Sequence, residues 1–286
     1  INLSAYQISE QYTYYQNTVH IDNDDHPFAE TQLGKSALDR IDFRGAPGTK
    51  WQPGQHAVAI DYAANNVADQ VYMLAYDGVS KTASITGVYQ PGRLFKNTIT
   101  DENGYQTIEF RNLNGQILLI RRQVDQAATQ WASTYNVYDI YDNLVLVTSP
   151  ELSRTFSSTT FPVQIDPVAL NKWAYQYVFD KYQRVVEKKQ PGSEWKYLIY
   201  DERDRLVLTQ DGKQRPLNQW SFTKYDALNR PIITGIYTDG DTRQGMQDQV
   251  NDYYLGVQHG HGSWYEKRNQ STFGYTNESY PHELTE

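Results

Sequence analysis

The sequence contains no cysteine in its 286 residues. Disulfides, thiolate nucleophiles and cysteine-ligated zinc are therefore excluded. No apolar run approaches the roughly 20 residues that a transmembrane helix needs, so we expect no membrane span. Basic residues are outnumbered, with 26 Lys and Arg against 34 Asp and Glu and a net charge of −8. Such a chain is poorly suited to bind nucleic-acid phosphates over a broad face, and we expect no nucleic-acid partner.

Tyrosine is abundant, with 24 copies. Tyrosine suits a pleated, half-buried surface, because its ring packs against neighbours while its hydroxyl reaches water. Exposed tyrosines are also common on carbohydrate-binding and adhesive surfaces. The composition therefore favours a β protein and leaves a binding role as the alternative.

Alternating apolar and polar residues predict strands over 56–62, 70–76 and 94–100. Two Asn-Gly pairs flanked by strand-like runs, in 101–104 and 112–115, predict hairpin turns. The chain is therefore expected to be mostly β and built from antiparallel hairpins.

Two short helices are predicted among the strands. The first begins after Asp166, an acidic N-cap followed by proline. The second covers about 242–252, where Met246, Val250 and Tyr253 share one apolar face. A glycine within this second segment makes it the weaker helix former.

A short motif recurs along the chain, in which an aromatic residue and Asp are separated from Arg by three residues. The complete copies are Phe179-Asp180 with Arg184, Tyr200-Asp201 with Arg205, and Tyr225-Asp226 with Arg230. Looser copies occur at Tyr138-Asp139 and at Phe110. The complete copies are 21 and 25 residues apart, a spacing typical of repeat architecture.

The motif has a physical interpretation as one hairpin per copy. The aromatic residue ends a strand, the Asp bonds the turn backbone, and the Arg opens the return strand. An exposed Asp–Arg pair across the turn would contribute about 0–1 kcal/mol. We expect the rings of Phe179, Tyr200 and Tyr225 to be largely buried. A lone hairpin is marginally stable in water, so the copies are expected to stack edge to edge.

This series resembles the YD repeats of RHS proteins, which are also found in the shells of Tc toxins and in teneurins. The resemblance covers about 95–238, and the Gly/Pro-rich loop over 45–54 extends it toward the N-terminus. It implies stacked antiparallel hairpins in a twisted or curling sheet, part of an RHS-type shell with one or two short helices. The core segment that closes such shells, and a toxin domain, are not recognisable, so no catalytic residue can be carried over.

The resemblance implies three regions: an N-terminal β region over 1–90, repeat hairpins over 91–238, and a C-terminal helix and tail over 239–286. It further implies a fragment of a longer, secreted or cell-surface bacterial protein without enzymatic activity. The expected partners are the rest of the RHS chain and its C-terminal toxin or effector. The alternative is an extracellular module that binds glycan or a cell-surface protein through exposed Tyr and Trp.

Few residues suggest other chemistry, and no cofactor is expected. His259 and His261 could face one metal ion from alternate strand positions, although a Gly-rich turn explains them as well. Asp22 and Asp24 offer oxygen ligands for calcium but lack the rest of an EF-hand loop, which leaves a solvated turn as the alternative. The acidic run over 238–242 has the same two interpretations.

Overall fold

A computed structural model describes residues 9–19, 24–35, 37–127, 129–271 and 274–282. Within these residues the chain is mostly β, with 17 strands whose pairings are antiparallel and four short α-helices. The fold class predicted from the sequence is confirmed.

The strands are numbered in chain order. They are β1 (Glu30–Leu33), β2 (Ile41–Gly45), β3 (Val58–Ala64), β4 (Tyr72–Asp77), β5 (Thr82–Val88), β6 (Phe95–Thr100), β7 (Gln106–Arg111), β8 (Ile117–Gln123), β9 (Trp131–Tyr138), β10 (Leu144–Thr148), β11 (Val163–Gln164), β12 (Ala174–Phe179), β13 (Val185–Lys189), β14 (Lys196–Tyr200), β15 (Leu206–Gln210), β16 (Gln219–Tyr225) and β17 (Pro231–Thr238). The predicted strands over 56–62, 70–76 and 94–100 correspond to β3, β4 and β6.

The helices are α1 (Glu10–Asn17), α2 (Pro150–Ser153), α3 (Pro167–Trp173) and α4 (Arg243–Gln258). Single 3-10 turns occur at Thr49–Trp51, Val67–Asp69 and Arg215–Leu217. No helix within the described ranges is both long and apolar enough to cross a membrane.

The chain divides into two compact units. Unit 1 contains the described residues up to Leu74, Ile85–Asn136 and Ser149–Val163, and its main sheet has the order β1-β2-β3-β6-β7-β8-β9. Unit 2 contains Ala75–Ser84, Val137–Thr148 and the described residues from Gln164 onward, with the order β10-β12-β13-β14-β15-β16-β17. A smaller sheet has the order β11-β5-β4. Most neighbours in these sheets are also neighbours in sequence, as expected of successive hairpins.

The core of unit 1 forms where inward-facing residues of several strands meet. Phe110 of β7 and Leu119 of β8 are cross-strand partners, and both are fully buried. Val71, Leu94 and Tyr135 complete this cluster. Burying such side chains contributes about 1.5–3 kcal/mol each.

The core of unit 2 is built from one sheet face and the long helix α4. Inward-facing positions alternate along β16, so that Trp220 and Phe222 are buried. Met246, Val250 and Tyr254 of α4 pack in the same cluster.

Both predicted helices are present. Asp166 caps α3 by accepting hydrogen bonds from two backbone amides, as its position before a proline indicates. α4 begins after Thr242 and extends six residues beyond the predicted end. Its most buried tyrosine is Tyr254, whereas Tyr253 is half-buried, because the buried stripe follows the 3.6-residue period of the full-length helix.

Replacing Phe110 with Ala is expected to lower the free energy of unfolding by about 3–5 kcal/mol, because the ring leaves a cavity in a closed core. The matched control is Phe95→Ala in the neighbouring strand β6, where the ring is half-exposed and the loss should be clearly smaller. Urea unfolding followed by circular dichroism measures both. Equal losses at the two positions would contradict the assignment of this core.

Candidate functional site

Six turns in the described parts of the chain share one hydrogen-bond pattern. In each, the first amide donates to the fifth carbonyl, and the fourth amide donates to the first carbonyl. One side-chain oxygen of the first residue, always Asp or Asn, accepts from the third and fifth amides. The turns are 101–105, 112–116, 139–143, 180–184, 201–205 and 226–230.

The fourth residue of every such turn has a left-handed backbone. Gly104 and Gly115 occupy this position in unit 1, whereas Asp142, Gln183, Asp204 and Asn229 occupy it in unit 2, with φ between 58° and 66°. A type I turn followed by a left-handed residue is a common hairpin connection. Glycine adopts this conformation without steric cost, but a side chain there adds strain.

The three complete copies of the sequence motif close their turns with an ion pair. Arg205 Nε donates to Asp201 Oδ2 at 2.7 Å, and both side chains are buried. The equivalent distance is 2.8 Å for Arg184 and Asp180 and 2.7 Å for Arg230 and Asp226. One carboxylate thus bonds the turn backbone through Oδ1 and the arginine through Oδ2.

Two of these arginines continue from their own turn into the next hairpin. The Arg184 guanidinium lies 5.0 Å from the centre of the Tyr200 ring, and its Nη1 donates to the carbonyl oxygen of Asp201 at 3.1 Å. Nη1 also reaches Asp204 Oδ1 at 2.8 Å. A guanidinium over an aromatic face is stabilised by about 0.5–2 kcal/mol.

The next arginine repeats this geometry. The Arg205 guanidinium lies 5.0 Å from the centre of the Tyr225 ring, and its Nη1 reaches Asn229 Oδ1 at 3.3 Å. Its Nη2 donates to the carbonyl oxygen of Trp264 at 2.6 Å. Arg184 and Arg205 therefore form a ladder, in which each of the two joins its own turn to the aromatic residue and turn of the next hairpin.

Arg230 occupies the same place in its own turn, but the side of its guanidinium that faces away from that turn is exposed. Its side chain is 69% exposed, compared with 16% for Arg184 and 7% for Arg205. Within the described residues β17 is the last strand of its sheet and pairs with β16 alone. The ladder thus ends in an exposed guanidinium beside an edge strand.

The repeat aromatics lie at the ends of the hairpins, between the core and the surface. Phe179, Tyr200 and Tyr225 are half-buried. Each lies at a register irregularity directly before its turn, at the end of the hairpin. Burial raises the pKa of Tyr200 and Tyr225, and the neighbouring arginine opposes this shift. The rings are thus partly exposed and lie outside the apolar core, and in the last two copies one face of the ring is covered by an arginine instead of apolar residues.

The two looser copies differ from the complete ones in separate ways. After Tyr138, the carboxylate of Asp139 closes a regular turn, and the side-chain amide of Asn143 takes the place of arginine by donating to Oδ2 at 3.0 Å. In the other copy the residue that closes the turn is Asn112, two positions after Phe110. Phe110 itself is a core residue.

A buried polar cluster joins β16 to the C-terminal segment, defined as residues 263–271 and 274–282. Lys224 Nζ lies 3.1 Å from Glu266 Oε1, and both side chains have no exposed surface. Nζ also donates to Asn277 Oδ1 at 2.6 Å and to the carbonyl oxygen of Ser279 at 2.9 Å. Glu266 further accepts hydrogen bonds from Ser279, Thr276 and the amide of Glu278.

Burial and polar contacts have opposing effects on the pKa values of Lys224 and Glu266. Burial lowers the pKa of Lys224, and the Glu266 carboxylate opposes that shift. Burial alone would raise the pKa of Glu266, but hydrogen bonds from Ser279 and Thr276 hold it below its usual range. No sequence pattern predicted this cluster, because its charged partners are 42 residues apart.

The proposed metal ligands are not assembled into a site. Within the ranges that the structure describes, no three His, Cys, Asp or Glu side chains come close enough to share an ion. His259 follows the end of α4, and His261 is exposed in the next turn. Asp24 accepts hydrogen bonds from Thr49 and from the amide of His26, so it fastens a loop. Asp22 lies outside the described residues.

Unit 1 carries an open cleft of about 760 Å³. Its walls are the loop around Trp51 and His56 and the turn containing Glu102 and Asn103. The Trp51 side chain is 42% exposed. An exposed indole beside amide and carboxylate groups offers both a packing surface and hydrogen-bond partners to a polar ligand.

Comparisons with known proteins cover different parts of the chain. A family model described as a domain of unknown function (DUF6443) matches residues 2–64. No curated protein matches the chain in sequence.

Similar solved structures are Tc toxin assemblies. The crystal structure of TcdB2-TccC3 is 13% identical, with a TM-score of 0.39, over 78% of this chain and 12% of its own. The Photorhabdus luminescens Tc holotoxin pore carrying a TccC3 mutation is 12% identical, with a TM-score of 0.38, over 78% of this chain and 14% of its own. The chain therefore spans only about an eighth of the length of these structures.

The ladder predicts unequal roles for two equivalent arginines. Arg205→Ala leaves the buried Asp201 carboxylate without its ionic partner and should lower the free energy of unfolding by about 3–5 kcal/mol. Arg230→Ala removes an exposed side chain from the same motif position and should leave the unfolding midpoint nearly unchanged. Chemical unfolding of both variants measures the difference, and similar losses would argue against the ladder.

The left-handed turn position predicts a stabilising substitution. Gln183→Gly relieves a positive φ of 61° and should raise the free energy of unfolding by about 0.5–1 kcal/mol. Ala227→Gly, at a position without positive φ in the turn over 226–230, is the matched control and should be destabilising. Thermal unfolding of both variants provides the test. A loss of stability in Gln183→Gly would contradict the prediction.

Proposed function

We propose that the chain is a non-catalytic structural segment of a bacterial RHS-type repeat protein that is secreted or held at the cell surface. Its hairpins contribute to a β-shell that encloses or presents a C-terminal toxin or effector. The observation that carries this proposal is the arginine ladder, in which Arg184 and Arg205 each bond their own turn and the hairpin that follows it.

The ladder favours a continuous scaffold over an independent hairpin. Arg184 and Arg205 are each bonded within their own turn and also bonded to the next one. Removing a following hairpin would expose the outer side of the preceding guanidinium and the edge of its strand. Stacked units of this kind gain stability from each neighbour, as in other repeat proteins.

The end of the ladder supports continuation into a larger assembly. Arg230 presents a guanidinium at the place where its two predecessors contact a tyrosine and a turn. β17 presents an edge strand beside it, and unpaired strand edges are commonly covered in native proteins. The remainder of the RHS chain is the partner that this end fits.

The charged residues of the repeats serve structure in this proposal. The repeat carboxylates Asp180, Asp201 and Asp226 each bond two backbone amides and one guanidinium. A catalytic carboxylate must instead be available to a substrate. We therefore propose that the repeat region has no turnover of its own.

The test uses the longer protein that contains this chain, with its C-terminal region intact. In a shell, limited proteolysis should leave the C-terminal region uncut until the hairpin stack is weakened. Arg205→Ala should expose that region to protease at a lower urea concentration than in the wild type. Arg230→Ala should lower this concentration less. If the C-terminal region of the native wild-type protein were cleaved as fast as that of the weakened stack, this result would contradict enclosure.

The second candidate function is an extracellular module that binds glycan or a cell-surface protein. The observation that favours it is the cleft of unit 1, with the exposed Trp51 ring at its wall. Aromatic rings pack against the apolar faces of sugars, and the cleft amides and carboxylates could bond sugar hydroxyls.

A glycan array probed with the purified chain distinguishes this candidate. Binding that is lost in Trp51→Ala but retained in Trp131→Ala, a half-buried tryptophan outside this cleft, would support a binding module. If the wild type binds no glycan and the C-terminal region of the longer protein is protected from protease, only the scaffold proposal is supported.

A further inference from the structure

Lys224 lies where the strand pattern calls for a core side chain. Inward-facing positions of β16 are occupied by Trp220, Phe222 and then Lys224. The Lys224 side chain has no exposed surface, yet it ends in an amine that contacts an amide and a carboxylate. A buried lysine surrounded in this way is chemically unlike the surface lysines of the chain.

The contacts bring a nucleophile, an acyl group and a base together. Lys224 Nζ lies 2.6 Å from Asn277 Oδ1, and because a carbonyl bond is about 1.2 Å long, Nζ is at most about 3.8 Å from Asn277 Cγ. Holding two reacting groups side by side removes much of the entropic cost of bringing them together. Glu266 Oε1, 3.1 Å from Nζ, is placed to move protons.

Burial favours the neutral amine that the chemistry needs. Burial lowers the pKa of Lys224, which increases the fraction of uncharged amine. Asn277 is half-buried, so a small molecule released from its side chain has a route to solvent.

We propose that Lys224 and Asn277 become joined by an amide bond between Nζ and Cγ, with Glu266 relaying protons and ammonia released. This is a covalent modification site within the chain, and it does not depend on the proposed function.

The reaction balances without any further reactant. Glu266 takes one proton from the Lys224 ammonium, and the neutral Nζ attacks Asn277 Cγ to form a new C–N bond. Glu266 passes that proton to the Asn277 amide nitrogen and takes a second proton from the attacking Nζ, the bond from Cγ to the amide nitrogen breaks, and ammonia leaves. Nothing is oxidised or reduced, and the carboxylate is regenerated when the departing ammonia carries a proton away.

The bond would fasten an irregular part of the chain. The C-terminal segment has no regular secondary structure beyond an isolated bridge, and it is held to β16 by this cluster and by the amide of Glu266 bonding to the carbonyl of Tyr225. In a chain without cysteine, an amide between side chains supplies the kind of cross-link that a disulfide supplies elsewhere.

Intact-mass spectrometry of the purified chain tests the proposal. We expect a mass lower than the sequence mass by one ammonia, and a protease digest that contains the Lys224 and Asn277 peptides as one branched species. An unreacted mass for the folded wild-type protein would overturn the proposal.

Variants separate this reaction from other losses of ammonia. Asn277 can also lose ammonia by cyclising onto its own backbone, but Lys224→Met prevents only the cross-link. Lys224→Met, Asn277→Ala and Glu266→Gln should each show the unreacted mass. Persistence of the loss in Lys224→Met would overturn the assignment. If a variant fails to fold, the branched peptide of the wild type still decides the outcome.

Discussion

The repeat hairpins depend on one acceptor, the side-chain oxygen that closes each turn. A hairpin turn leaves backbone amides pointing inward, and those amides need partners when water is excluded. In six turns an Asp or Asn oxygen accepts two of them at once. This side chain fixes the turn type, the left-handed residue that follows and the register of the flanking strands.

The complete motifs in unit 2 use the same carboxylate for a second purpose. Its other oxygen orients an arginine, whose guanidinium is planar and can donate in several directions at fixed angles. Asp201 therefore determines where Arg205 points, and Arg205 covers Tyr225 of the next hairpin. Local turn chemistry and packing between hairpins are thus set by a single aspartate. The turns of unit 1 have Gly104 and Gly115 at their left-handed positions, and no arginine follows.

Much of this arrangement could be predicted from the sequence because it is local. Asn-Gly pairs and the spacing of Asp180 from Arg184 describe residues that meet within one turn. What covers the repeat aromatics could not be predicted, because sequence periodicity does not show that Tyr225 ends its strand at an irregularity and is covered by a guanidinium. Phe110 resembled a repeat aromatic, although Asn112 closes the turn and Phe110 belongs to the core. The contact between Lys224 and Glu266 could not be predicted, because it depends on how a segment without regular structure passes β16.

The dependence of each arginine on the next hairpin also gives assembly a direction. Each of the six turns closes through contacts between residues no more than four positions apart, so the entropic cost of closing it is small. Chains dominated by such local contacts fold quickly, and folding during synthesis proceeds from the N-terminus. As a ribosome extends the chain, the turn at Asp180 can form before Tyr200 has emerged. The contact of the Arg184 guanidinium with the Tyr200 ring can form only afterwards. Each hairpin is therefore first the exposed edge of the growing sheet, and the next hairpin then forms by pairing with it.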